Sequence, residues 1–135
     1  MRFGATATTS AAGRAEIELA RGRRFEVASD GTLASPVEFL LGALASCQVL
    51  TYQHVAEAQN VPLDSVTVRV EGSLDPATLD GAARPCVSDV VVHVELRGPS
   101  TPERYEQLAN EVDRRCPVHA TLERDVAITR QLAVV

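Results

Sequence analysis

The residues of this chain best equipped for covalent chemistry are its cysteines, Cys47, Cys86 and Cys116. They form no CxxC pair and no Cys/His ligand spacing, so they fit neither a disulfide scaffold nor a zinc site. Reduced thiols with a redox role remain. Cys116 follows Arg114 and Arg115 and stands where Pro117 begins a helical turn; nearby cations and a helix start both favour a thiolate. The plain alternative is a polar surface thiol. Cys47 ends the run SPVEFLLGALASC, Ser35 to Cys47. Mid-helix burial among Leu, Ala and Val disfavours its anion unless a cation reaches it, and on these grounds alone it reads as a core cysteine. Cys86, between Pro85 and Val87, reads as structural. His54 shares a helical stripe with Cys47 but lies two turns away, about 10.5 Å, beyond hydrogen-bond reach. His119 follows Cys116 by three residues and can touch it if that turn is helical; a surface histidine near a helix end is the alternative.

Composition removes several other chemistries. All 13 basic residues are Arg and none is Lys, which excludes a Schiff-base lysine and a P-loop lysine. A net charge of −5 lacks the basic excess that phosphate neutralisation needs, so no nucleic-acid partner is expected, and Arg21, Arg23 and Arg24 read as a solvated loop. The opening MRFGATATTS has no apolar signal core, and Phe39 to Leu50 is too short to span a bilayer. A cytoplasmic chain of one domain, residues 1–135, is expected, without metal or organic cofactor.

The elements that must position these residues follow from periodicity and caps. Ala15, Ile17 and Leu19 alternate against Arg14, Glu16 and Glu18, and Phe25 and Val27 follow the Arg21-Gly22 turn signal, so a hairpin is expected there. Ser35-Pro36-Val37-Glu38 spells a capping box with Pro at the first helical position. The helix it opens runs to about Gln59 and is apolar nearly all round from Phe39 to Leu50, so it must be covered on every side. Val66, Val68 and Val70 alternate with polar residues, as do Val90 to Leu96, giving two one-sided strands about a polar loop from Leu74 to Pro85. Thr101-Pro102-Glu103 opens an amphipathic helix through Tyr105, Leu108, Ala109 and Val112, which stops at Cys116 because Pro117 follows. A short turn from Pro117 and a closing strand from Asp125 to Val134 complete an α+β chain.

With both motifs in hand, SPVEFLLGALASC and the later CPVHATL, the chain resembles the OsmC/Ohr family, whose generic members carry P-x-E-L-L-L-A-A-L-A-S-C and a later C-P-V-H or C-P-x-S turn. The resemblance runs from the N-terminal hairpin to the last strand. It implies an α+β intertwined homodimer, with antiparallel sheets from both chains wrapped around a long buried helix. It also implies a thiol peroxidase for small organic hydroperoxides, with Cys47 peroxidatic, Cys116 resolving and a thiol reductant as unnamed partner. This role for Cys47 reverses the ranking that local physics suggests. In the organic-hydroperoxide members an acid directly follows the helix-start Pro; here Val37 holds that place and Glu38 stands one step, about 100°, further round. Glu38 is therefore first a capping acid and second a catalytic candidate. The Arg that supports the thiolate is expected to be Arg14, with Arg23 and Arg24 as reserves. The alternatives are a non-peroxidatic dimer that binds an apolar small molecule in the same interfacial pocket, and a hot-dog thioesterase, which has no natural place for the helix ending in Cys116.

Overall fold

The computed structural model describes residues 1–135, which group into two compact units, Met1–Gly42 and Ala43–Val135. No helix is long and apolar enough to cross a membrane.

The first unit is an antiparallel meander of β1 (Ala5–Ala11), β2 (Arg14–Leu19) and β3 (Arg24–Ala28), in that order across the sheet. Ile17 faces Phe25 across β2 and β3, as the expected hairpin requires, and Gly22 takes the positive φ of its turn. β1 was not legible: all seven of its residues are exposed, so Ala-Thr-Ala-Thr-Thr-Ser-Ala carries no apolar rhythm to betray a strand. It pairs with β2 with an irregularity between Thr9 and Ala11. After β3 the chain enters α1 (Pro36–Ala58) through the expected capping box: Ser35 N–H donates to Glu38 Oε2 at 2.7 Å, and Glu38 N–H donates to Ser35 Oγ at 3.2 Å. Phe39 meets Phe25 edge to face, ring centres 5.9 Å apart.

The second unit holds the rest of α1, an antiparallel pair β4 (Ser65–Ser73) and β5 (Ser88–Arg97), and helices α2 (Pro102–Arg115) and α3 (Pro117–Leu122). Leu44, Gln48, Tyr52, Val55 and Ala56 form the buried stripe of α1. Tyr52, Val55, Ala56 and Val61 pack with Leu108 and Val112 of α2, and Val66, Val68 and Leu96 of the strands close the cluster. Register puts Val66, Val68 and Val70 opposite Leu96, Val94 and Val92, the one-sided face that the alternation demands. Asn60, at φ 52°, ends α1 by turning left-handed, and Val61 N–H closes back on Ala56 O at 2.8 Å. Thr101 caps α2 by accepting from Arg104 N–H. Two ties then fix α2 to the end of α1: the Arg104 guanidinium donates to the carbonyls of Gln59 and Asn60, and the Tyr105 hydroxyl donates to Pro62 O at 2.7 Å.

One expectation fails. Residues 125–135 form no strand, although their apolar residues alternate, because no neighbouring strand hydrogen-bonds to them. Within the single chain Phe39 and Leu40 of α1 are exposed and Leu50 is 65% exposed, the surface for which a second chain was the expected cover.

Candidate thiol site

The second unit brings Cys47 and Cys116 together. Cys116 extends the apolar stripe of α2, since 108, 112 and 116 succeed one another by four, and it is fully buried with Cys47 near enough to raise its thiol. Its backbone ends α2, donating N–H to Val112 O at 2.8 Å, and also opens α3, accepting Ala120 N–H at 3.0 Å. Cys47 stands beside Gln48 on α1, one step off the buried stripe, and is half-buried. Cys86 lies exposed in the loop before β5.

This arrangement reverses the electrostatic expectation for Cys116. Burial pushes its thiol up, and the neighbouring Cys47 pushes the same way; the N–H groups of His119 and Val118 face the sulfur and oppose this without closing a cap bond. The two arginines that precede it supply no counterweight. Arg114 and Arg115 both bind Glu111, one turn back, and these bonds, Arg114's foremost, hold the Glu111 carboxyl below the usual range. Sequence neighbours on a helix point in different directions, and the nearest carboxylate at i−3 and i−4 collected both cations.

His119 is mostly buried and linked on two sides. Its Nδ1 lies 3.0 Å from Gln48 Nε2 and 3.5 Å from Asp113 Oδ1, and its Nε2 lies 2.9 Å from Glu123 Oε1. Gln48 also donates to Asp113 Oδ1 at 3.3 Å. Beside this group opens a cleft of about 510 Å³ lined by Asp113, Arg114, His119, Ala120, Glu123 and Arg124. One helical turn along α1, burial, then the charges of Asp113 and Glu106, push the Tyr52 phenol up to about 12, so it stays neutral. Gln48 and Asp113 were missed at the level of sequence. The signal was present: Gln48 is the single polar residue on the stripe 44, 48, 52, 55, and a polar side chain in an apolar stripe needs a partner.

The remaining candidates have partners within the first unit. Arg14 donates to Thr32 Oγ1 at 3.3 Å, Arg24 pairs with Glu16 and Glu18, and Glu38 closes the capping box. His54, on the polar end of α1, is exposed. Chemically, two neighbouring thiols, one held protonated by burial, make a dithiol that can close to a disulfide once one sulfur is oxidised. No group of three His, Cys, Asp or Glu side chains is arranged to hold a metal ion.

The chain is similar to several known proteins. A hydroperoxide reductase of Mycoplasma pneumoniae is 27% identical over 88 residues, which take in 65% of this chain and 61% of that relative's length. Among solved structures, an OsmC-like protein from Mycoplasma pneumoniae superposes with a TM-score of 0.81 at 20% identity, covering 91% of this chain and 88% of the other. The organic hydroperoxide resistance protein OhrB of Bacillus subtilis superposes with a TM-score of 0.64 at 21% identity, covering 90% of each chain. These likenesses establish the fold as α+β with two antiparallel sheets and three helices. The OsmC-like protein family matches residues 29–130, both cysteine motifs included, and the chain belongs to that family.

Proposed function

We propose that the chain is a cytoplasmic thiol peroxidase that reduces small organic hydroperoxides in defence against oxidative stress, working as a homodimer. The observation that carries this reading is that the fold brings Cys47 beside the buried Cys116, near enough to raise its thiol. Cys47, the more accessible of the two, attacks the outer peroxide oxygen as a thiolate; the O–O bond breaks, the alcohol leaves with a proton, and Cys47 becomes a sulfenic acid. Cys116, held protonated by burial until that point, loses its proton as its sulfur attacks the Cys47 sulfur; the S–O bond breaks, the sulfenic oxygen takes that proton and leaves as water, and a Cys47–Cys116 disulfide remains. A dithiol reductant returns both sulfurs to thiols. Arg14, with Arg23 and Arg24 next in line, and Glu38 are the further residues we propose for this chemistry. The names of the relatives, hydroperoxide reductase and organic hydroperoxide resistance protein, support the same chemistry.

The test is an ordered pair of failures. Cys47→Ser should abolish consumption of cumene hydroperoxide by the protein and a dithiol, because a hydroxyl is a far poorer nucleophile than a thiolate. Cys116→Ser should react once and stop at a sulfenic acid that a dimedone-type probe traps and excess peroxide drives to sulfinic acid. Cys86→Ser should change neither. Wild-type protein that consumes no peroxide, with Cys47 labelling no faster than a free thiol, would refute the proposal. The second reading, a non-catalytic dimer binding an apolar small molecule, is favoured by Val37 at the family's acid position and by Glu38 being engaged with Ser35. It would then replace the first.

A further inference from the structure

Gln48 is a fully buried polar side chain among the apolar residues of the α1 stripe, and the proposed chemistry makes no use of it. Its Oε1 is buried without a hydrogen-bond partner. An unpaired buried acceptor is a standing cost to stability, and an apolar residue of the same length would remove it. What the amide supplies in exchange is its nitrogen. Nε2 reaches Asp113 Oδ1 at 3.3 Å and His119 Nδ1 at 3.0 Å. Both are acceptors in the tautomer with the ring proton on Nε2, which also lets Nε2 donate to Glu123 Oε1 at 2.9 Å. Asp113 stands three residues before Cys116 and His119 three after it, while Gln48 directly follows Cys47. One amide thus binds the chain on both sides of the second thiol to the residue next to the first.

We infer that Gln48 is a positioning residue for disulfide formation, holding the Cys116 turn against Cys47 through Asp113 and His119. The inference rests on the reading of the two thiols as a reactive pair, but not on peroxide as the oxidant. It concerns the second bond-forming step, in which geometry decides whether Cys116 reaches Cys47 before a second oxidant does.

The test uses glutathione in place of peroxide. Full-length protein in a Cys86→Ser background is equilibrated across ratios of oxidised to reduced glutathione, where protein dithiol and one oxidised glutathione give protein disulfide and two reduced glutathiones. Alkylation and mass spectrometry then count the Cys47–Cys116 bond. Gln48→Met, which keeps length and loses both donors, should lower the equilibrium constant about tenfold, or about 30 mV, while the reduced protein melts no earlier than the wild type. Should Gln48→Met fail to fold, the double variant Asp113→Ala, His119→Ala removes the same two acceptors from the more exposed side, and it should show a fall of similar size. A constant within twofold of the wild type in a folded variant overturns the inference. So does an equal fall in Val55→Ala, which would mark the effect as general loosening of the core, and so does a wild type that forms no Cys47–Cys116 bond at any ratio. A bond that weakens with Gln48 in a protein that consumes no peroxide would overturn the proposed function and uphold this inference.

Discussion

Gly98 and Tyr105 give the sharpest quantitative test of how α2, and with it Cys116, is set in place. The Tyr105 hydroxyl donates to Pro62 O at 2.7 Å and accepts from Ser100 N–H at 3.2 Å, so it ties the start of α2 to the chain leaving α1. A Cβ on Gly98 would overlap that hydroxyl and would lie 2.9 Å from Pro62 O. Tyr105→Phe should lose both bonds, at about 1–2 kcal/mol for a pair of net intramolecular hydrogen bonds. Gly98→Ala should cost more, about 2–4 kcal/mol, because its methyl expels the hydroxyl from both bonds and adds overpacking. In the double variant the hydroxyl is absent. The approaches to Pro62 O and, at 3.3 Å, to the ring Cζ of residue 105 remain against Gly98→Ala, and loss of chain entropy in the unfolded state offsets them in part, so the second substitution should then cost about 1 kcal/mol. The chain has no Trp, so urea unfolding is best followed by far-UV circular dichroism, at one fixed protein concentration. The cycle should show a coupling of about 2 kcal/mol; costs that add to within about 0.5 kcal/mol would refute the claim that glycine is there to admit the tyrosine.

Ser35→Ala should remove the α1 cap at a cost of about 1 kcal/mol, whereas Glu38→Gln should be mild, since glutamine can close the same box; thermal melts of both variants check this. A time course of iodoacetamide labelling, resolved by peptide mass, should find Cys47, the proposed thiolate, modified first, the exposed Cys86 next and Cys116 last, because Cys116 is both fully buried and pushed up by that burial. Hydrogen bonds from the Thr32 hydroxyl and N–H hold the Asp30 carboxyl below the ordinary aspartate value of 3.8. A depressed carboxyl contributes stability above its unfolded value that is lost as pH falls through its folded one. The gap in melting temperature between wild type and Thr32→Val should therefore be present above pH 3.8 and close below it.

Where periodicity and caps coincide, the sequence was legible. Thr101-Pro102 and the stripe through Leu108 and Val112 mark α2, and Ser35-Pro36 with Glu38 marks the start of α1 to the residue. β1 was hidden because nothing in the chain buries any of its residues, so its pairing with β2 left no hydrophobic trace. The expected strand at 125–134 erred in the opposite direction: alternation reports a face that wants burial, not the existence of a neighbour to pair with. At the site, the two motifs pointed to the two cysteines that the fold brings together, while local charge pointed to the wrong environment for Cys116. Counting Arg114 and Arg115 as its neighbours ignored Glu111, and reading Cys116 as a polar surface thiol ignored that it continues the stripe of Leu108 and Val112. The contact between Gln48 and His119 joins residues 71 positions apart, which no local pattern can announce.

Cys116 is the joint of α2 and α3, and this fixes how much of it can move. Its N–H is held by Val112 O, its carbonyl by Ala120 N–H, and the ring of Pro117 denies its backbone the helical region, consistent with its ψ of 112°. With both backbone torsions clamped, χ1 is the one soft rotation left to the sulfur. It behaves as an anvil rather than a hammer: whatever backbone travel a bond to Cys47 demands must come from the α1 side, and the backbone freedom that a flexible segment would surrender on bonding has already been given up when the chain folds.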